Sequence, residues 1–243
     1  MNISRLARTS HRWFAYLIAA QVLAWVAGGL LFAWLPFHPW VKAQDYVGKP
    51  EPSLPANWPQ QLQVAMAGAT PDSAVKAVAS VVGPDGPLWR LSLAAGGTTW
   101  LRADGQAWQP ASATVIEGFA GRLYRGTGRM VGGAEKLTQV PARLGLVQEM
   151  GGRNNLWRVA FDDGQSTRLY FDGSSGEFLT ARTEAWVWYD LLWRLHIMDY
   201  GGGEDFNNRL LRVAAPLAFL LVLAGLVLTV QAAWRARRRR RVV

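Results

Sequence analysis

Three histidines, His11, His38 and His196, are the side chains of this 243-residue chain best suited to acid–base or ligand chemistry near neutral pH. Bis-imidazole ligation of a haem needs two of them facing one iron. His11 stands just before one long apolar run and His196 shortly before another. The charge pattern below puts those two positions at opposite membrane faces, so one chain does not bring them to one haem. Two copies would pair His11 with His11 and His196 with His196, or His38 would meet His196 outside the membrane. The leading expectation is no cofactor; haem b on His11, His196 and His38 is the alternative.

The other chemistry-bearing patterns point to structure. Asp162, Asp163, Asp172 and Glu177 form an acidic set at expected strand ends. Calcium takes six to eight oxygens, and no EF-hand-like spacing is present, so turn formation explains the set. Gly126-Thr127-Gly128 with Gly132 follows a helix instead of a strand, which is the wrong context for a phosphate loop. The chain has no Cys, and G-x-S-x-G and H-E-x-x-H are absent. These patterns predict no catalytic residues, no metal site and no enzymatic activity of the protein's own.

The elements that must position such residues begin with the membrane. A net charge of +9 suggests a polyanionic partner. Yet Arg5, Arg8 and Arg12 at one end and Arg235, Arg237, Arg238, Arg239, Arg240 and Arg241 at the other account for all of it. What remains is balanced. From Trp13 to Trp40 there is no charged residue, and 22 uncharged residues run from Val213 to Trp234. Trp13–Leu35 as a helix is roughly 35 Å long, enough for a hydrocarbon core of about 30 Å. Basic residues flanking a span favour the cytoplasmic side. Both termini are therefore expected inside, with residues 36–208 outside, and nucleic acid is not an expected partner. Trp13, Trp34, Trp40 and Trp234 fit interfacial anchors. Ala20, Ala24 and Gly28, and likewise Gly225 and Thr229, have the small-residue spacing of packed membrane helices. Gln21, the one amide of the first span, needs a partner in hydrocarbon. Thr229 at similar depth is the expected one, within a chain or across a dimer.

Between the spans lies a repeat. Leu88-Trp89-Arg90 recurs 68 residues later as Leu156-Trp157-Arg158, and Gly96, Thr99, Leu101 and Asp104-Gly105 meet Gly164, Thr167, Leu169 and Asp172-Gly173 without a gap. Each copy reads as strand, turn, strand, turn. Ala113–Arg125 has helical spacing, with Ser112 as its cap. Residues 59–67 are a second helix candidate, and 70–82 fit a helix or a strand. Six prolines between 36 and 59 suggest an extended linker. Glu184–Asp199 is expected as a helix on the outer surface, with Trp186, Trp188 and Trp193 as anchors and an Asp190–Arg194 pair.

The second copy, LWRVAFDDGQSTRLYFDGSSGEFLTAR, together with LLWRLHIMDYGGGEDFNNRLLR (Leu191–Arg212) and His11-Arg12-Trp13 with Gln21, Trp25 and Gly28, resembles the membrane-anchored form of the PepSY domain family. The first copy departs from that pattern, because its second turn is Asp104-Gly105-Gln106 without a Gly-Glu pair. The resemblance implies an α+β fold, two helix-plus-antiparallel-sheet modules between two transmembrane helices. It implies a bacterial envelope protein whose outer domain binds or restrains a partner, such as a peptidase, or pairs with a second copy. Larger membrane relatives resemble haem-bearing reductases, which makes an electron-transfer subunit of a metal-reductase system the alternative. The expected organisation is a tail (1–12), a span (13–35), a linker (36–58), a divergent module (59–110), a second module (111–183), an interfacial helix and junction (184–208), a span (209–234) and a basic tail (235–243).

Overall fold

The computed structural model describes residues 3–51, 56–68, 74–102 and 108–240. The Thr70-Pro71-Asp72 helix start and the Asp104-Gly105-Gln106 turn fall outside the described residues, as does the side chain of His11. The chain is α+β and forms two compact units. One is Leu35–Trp188; the other combines Met1–Trp34 with Tyr189–Val243.

The first unit holds two antiparallel sheets. One comprises β1 (Val75–Gly83), β2 (Gly86–Leu93) and β3 (Thr98–Arg102), in that order. The ambiguous stretch 75–82 is thus a strand. A Pro84-Asp85 hairpin pairs it with β2, and Gly86 takes φ +124°, open to glycine. Helix α2 (Trp58–Gly68) lays Leu62 and Met66, one turn apart, on Trp89, Leu91 and Leu101.

The second sheet comprises β4 (Met130–Gln139), β5 (Asn154–Phe161), β6 (Arg168–Asp172) and β7 (Phe178–Arg182), in that order. Helix α3 (Ala113–Leu123) starts where Ser112 Oγ accepts the Val115 N–H at 3.4 Å. Its Ile116, Phe119, Ala120 and Leu123 recur at helical spacing and cover Trp157, Val159, Phe161, Leu169 and Phe171. The opposite face of the sheet is also covered: Val140 and Met150 close over Leu137, Leu156, Tyr170 and Leu179. Strand β6 is therefore buried on both faces.

The repeat is real as strand–turn–strand, but its ungapped register fails at the turn. Trp89 pairs with Leu101, whereas Trp157 pairs with Phe171. The connection is Ala94–Gly97 in one copy and Asp162–Thr167 in the other. The equivalence is 68 residues before the turn and 70 after it, so Leu101 corresponds to Phe171, not Leu169. The match of Asp104-Gly105 to Asp172-Gly173 has no counterpart in this pairing. The two extra residues hold Asp163, whose Oδ1 accepts the Gln165 and Thr167 N–H groups at 3.0 Å each.

The expected linker is only partly a linker. Phe37–Val41 forms a π-helical turn, and Val41, Ala43 and Val47 are buried. Val47 bridges Tyr124 antiparallel, the Gly48 N–H donates to Leu123 O at 2.8 Å, and Arg125 N–H donates to Tyr46 O at 2.8 Å. Ala43 and Val47 belong to the α3 core. Proline density hid this, because the apolar residues between Pro39 and Pro50 are few and belong to a core assembled from much later sequence.

In the other unit, α1 (Ile3–Trp34) and α5 (Arg209–Arg240) are the long apolar helices. Ala15–Trp34 and Arg209–Arg237 are long and apolar enough to cross a membrane, by length and composition. Helix α4 (Glu184–Ile197) contains the boundary between the units. Asn208 caps α5, its Oδ1 accepting the Leu211 N–H at 2.9 Å.

Val47→Ala distinguishes a core strand from a linker. It should lower the stability of the Leu35–Trp188 unit by about 2 kcal/mol, read as a fall in Tm of the purified chain. A residue in a free linker would leave Tm unchanged.

Candidate functional site

Two clusters concentrate the polar and aromatic side chains, one in each unit. The first is a charge network around Glu149, which lies between β4 and β5. Glu149 is 2% exposed and Arg168 5%. Arg168 Nη2 donates to Glu149 Oε1 at 2.6 Å, and its Nε donates to the same carboxylate at 3.0 Å. Tyr170 OH donates to Glu149 Oε2 at 2.5 Å. Arg168 Nη1 reaches Glu184 in the first turn of α4 at 2.9 Å, and Arg143 Nη2 reaches the same carboxylate oxygen at 2.7 Å. Arg182 Nε donates to Glu149 O at 2.9 Å.

The electrostatics follow from burial. Burial alone would lower the Arg168 pKa, but the hydrogen bonds and charge of Glu149, joined by Glu184, raise it instead. Burial, then the Glu149 charge and hydrogen bond, pushes the Tyr170 phenol up. Arg168 therefore stays charged and Tyr170 neutral. A closed set of hydrogen bonds like this one fixes geometry.

The sequence reading missed this cluster. Its signal is the alternation Arg168-Leu169-Tyr170-Phe171: two polar residues on one face of a strand otherwise fit for a core. A buried Arg requires a carboxylate, but nothing local names Glu149.

The acidic set does turn chemistry. Asp172 Oδ1 accepts the Ser174 and Ser175 N–H groups at 2.9 and 2.8 Å. Asp163 Oδ2 accepts from Tyr124 OH at 2.9 Å, and that phenol is pushed up to about 12, first by burial and then by this bond. Glu177 pairs with Arg90 at 3.3 Å, linking the two sheets; burial raises its pKa and the Arg90 charge opposes that rise. Gly132 and Gly133 (φ +71° and +73°) make the β4 bulge opposite β5, where Ala134 N–H donates to Glu117 at 2.8 Å. No cluster of three or more metal-ligating side chains occurs among the described residues.

The second cluster is the seam between α1 and the end of α4. A helix C-terminus leaves carbonyls without intrahelical donors. Here Gln21 Nε2 donates to Leu195 O at 3.2 Å and Trp25 Nε1 to His196 O at 2.7 Å. Gln21, Trp25, Gly28 and Phe32 form one stripe of α1, facing Tyr189, Trp193 and His196, one stripe of α4. The Phe32 ring lies 4.9 Å from Tyr189, 6.2 Å from Trp193 and 6.0 Å from His196. His196 stacks on Trp193 at 6.2 Å and 12°. A Cβ on Gly28 would stand 3.9 Å from His196 Nδ1, an ordinary van der Waals contact, which places Gly28 beside the imidazole. That nitrogen is buried without a hydrogen-bond partner among the described residues.

Gln21 therefore does not meet Thr229 within the chain. Thr229 Oγ1 donates to Gly225 O at 2.8 Å on its own helix. The reason is register: α4 ends beside Gln21, and only the 198–208 connection separates it from α5. Leu17, Ile18 and Gln21 consequently line one apolar groove with Leu210, Val213, Ala214 and Leu217. A Cβ on Gly225 would meet nothing within 4 Å among the described residues, whereas one on Gly28 would face His196 of α4.

The connection is internally bonded. Asp199 accepts N–H groups from Gly201, Gly202, Glu204 and Asp205, at 3.0 to 3.3 Å. These bonds, that of Asp205 foremost, hold its carboxyl below the usual range. Asp190 and Arg194 pair at 2.5 Å, and Arg194 Nη1 donates to Gly201 O at 2.9 Å.

Of the proposed haem ligands, His196 is the packed residue just described. His11 precedes Gly28 on α1 by 17 residues, about 26 Å along a helix. His38 is exposed, its ring edge-on to Phe37 at 5.4 Å. The geometry gives no imidazole pair from His11 and His196 within one chain. Among the anchors, Trp13, Trp34, Trp40, Trp188 and Trp234 are exposed. Trp186 and Trp193 depart from that expectation. Trp186 lies under the Arg182 guanidinium at 4.0 Å, and Trp193 is enclosed by His196, Phe32 and Phe206 with its Nε1 donating to Gly203 O at 3.2 Å. Amphipathic spacing is the same for a membrane-facing and a protein-facing ring, so sequence did not separate them.

Comparison with known proteins yields no matching family model, no matching curated protein and no matching solved structure.

Two expectations follow. Glu149→Ala should cost about 3–5 kcal/mol by stranding Arg168, while Glu149→Leu combined with Arg168→Met should recover much of that in denaturant unfolding. In the seam, Gln21→Leu should cost about 1 kcal/mol of stability in lipid. Gly28→Leu should separate α4 from α1, seen as faster hydrogen exchange at Leu195–Ile197.

Proposed function

We propose that this chain is a bacterial inner-membrane protein that presents a PepSY-like double module outside the membrane as a binding or regulatory domain. In this reading α1 and α5 cross the bilayer, both termini are cytoplasmic, and the Leu35–Trp188 unit is periplasmic, while the end of α4 lies beside Gln21 and Trp25 at the depth of the first span. The domain has no catalysis of its own and acts by holding an envelope partner, a peptidase among the candidates.

The observation that carries the reading is architectural. Two helix-on-antiparallel-sheet units of the same order, α2 on β1–β3 and α3 on β4–β7, stand between two helices apolar enough to span. The ends of those helices carry all of the excess positive charge, as the positive-inside rule asks. The polar side chains that could have suggested chemistry are consumed in structure: Glu149 by Arg168 and Tyr170, Asp163 and Asp172 by turns, Asp199 by its own loop. The electron-transfer reading receives no such support, because His196 is taken up by the Trp193–Phe32 seam.

Protease treatment of spheroplasts and photo-crosslinking test the proposal together. External protease should cleave within the Leu35–Trp188 unit and spare both tails. A photo-crosslinking residue at the exposed Val78 of β1 should give a discrete adduct with an envelope protein. A protected outer domain would reverse the topology, and the absence of any adduct in growing cells would overturn the binding role.

A further inference from the structure

β1 and β7 end their respective sheets, and each has a ladder partner on one side only among the described residues. The two edges border one groove of about 230 Å³, walled by Ser80, Val81 and Val82 on β1, by Phe178, Leu179 and Thr180 on β7 with Glu177 just before it, and by Lys49 and Pro50 at its end. We infer that an extended peptide of a partner protein seats in this groove as an added strand, its backbone paired with β1 on one side and β7 on the other. This rests on the binding-domain reading above and names what that domain would hold.

Spacing is the first argument. Paired strands stand about 4.8 Å apart, so a strand between two others separates them by about 9.6 Å. The Cα atoms of β1 and β7 stay more than 8 Å apart along most of their length. They are too far apart to pair with each other, yet close enough to border the same groove. Both edges also meet the same core, since Val82 and Phe178 pack against the α3 cluster.

Backbone polarity is the second. In a two-residue hairpin the flanking residues form a bonded pair, and pairs alternate from there. Gly83 and Gly86 are that pair, so Val82 opposite Pro87 and Ser80 opposite Trp89 are non-bonded positions. Pro87, which has no N–H, stands where none is needed. The N–H and C=O groups of Ser80 and Val82 therefore turn away from β2, toward the groove.

Edge chemistry is the third. Exposed edges are usually blunted by charge, proline or a bulge. Lys76 and the bulge between Val75 and Ala77 blunt only the start of β1, and Arg182 only the end of β7; the stretches Ala77–Gly83 and Phe178–Ala181 hold no charged residue and no proline, so this part of each edge is left open to a strand. Lys49 lines the groove and makes no ion pair among the described residues, while Glu177 is already engaged by Arg90. The occupant is thus an uncharged, β-branched segment with a carboxylate that reaches Lys49.

The test uses the full chain in detergent micelles with a blocked synthetic hexapeptide, acetyl-Thr-Val-Thr-Val-Thr-Asp-amide. Hydrogen exchange at Ser80 and Val82 and at Leu179–Ala181 should slow at least tenfold at saturating peptide. Ser80→Pro removes one outward N–H at a position where an edge strand tolerates proline, and should weaken binding at least tenfold at unchanged Tm. Lys49→Glu, on an exposed side chain outside both strands, should reverse the preference from the Asp-ended peptide to its Lys-ended counterpart. Protection at one edge only, no protection, or unchanged binding by both variants would overturn the inference. So would edges already protected in a concentration-dependent dimer, since the occupant would then be a second copy. The Val78 adduct separates the two levels: its persistence in Ser80→Pro at wild-type yield would remove the added strand and leave the binding role, whereas its absence from the wild type would remove the role itself.

Discussion

The α+β unit depends on one buried carboxylate. Glu149 sits where the β4–β5 connection closes over the second sheet, and a charge there is tolerable only when fully paired. Arg168 and Tyr170 supply that pairing from β6, and Arg182 adds a bond to the Glu149 backbone. The same Arg168 reaches Glu184, so the sheet, its covering loop and the start of α4 share one set of charges. This lets β6 be buried on both faces: α3 covers Leu169 and Phe171, and the Glu149 loop covers Tyr170. In the first sheet the core under α2 comprises Trp89, Leu91 and Leu101, while Val81 and Leu88 are buried outside that cluster and no buried ion pair like Glu149–Arg168 occurs there among the described residues. The duplicated modules are unequal in how they are held, and the network accounts for the difference.

A similar dependence governs the helical unit. The end of α4 would leave bare carbonyls in an apolar setting. Gln21 and Trp25, one turn apart on α1, satisfy Leu195 and His196. Once those bonds fix where α4 stops, the short Asp199 loop fixes where α5 starts. Gln21 then stands beside Val213 and Ala214, far from Thr229. Matching two spans by depth assumes that each is an independent rod. Here the α4 cap overrides that assumption, and the single polar residue of the first apolar run is the one that sets the register.

Much of this was legible in the sequence, and the failures share a cause. The apolar helices, α3 with its Ser112 cap, the repeated strand–turn–strand and the turn roles of Asp163 and Asp172 are local, set by periodicity and by side chains that bond a few residues away. What was missed is long-range. Glu149 and Arg168 meet across two strands, Val47 joins a core built 70 to 120 residues later, and Trp193 faces protein although its spacing equally suits a membrane. The repeat failed in a more instructive way. Identity at a fixed offset of 68 carried the comparison past a turn that had grown by two residues. A slip of two keeps each side chain on the same face of a strand, so alternation alone could not reveal it.

The charge distribution bears on what the α+β unit could recognise under the proposed binding role. All of the net positive charge lies in the two ends, and the rest of the chain is balanced. Long-range steering would therefore contribute little to association with that unit. Its specificity has to come from short-range geometry. Glu135, Glu149, Glu177 and Glu184 are paired with arginines, and Asp163 and Asp172 with turn N–H groups, whereas the outward N–H and C=O groups of the uncharged stretch Ala77–Gly83 of β1 have a ladder partner on one side only among the described residues. Main-chain pairing supplies affinity without charge, while side chains above and below the sheet supply selection. Under the proposed binding role, that stretch favours a partner recognised by extended conformation over one recognised by electrostatic attraction, with Lys49 at the groove adding a polar preference.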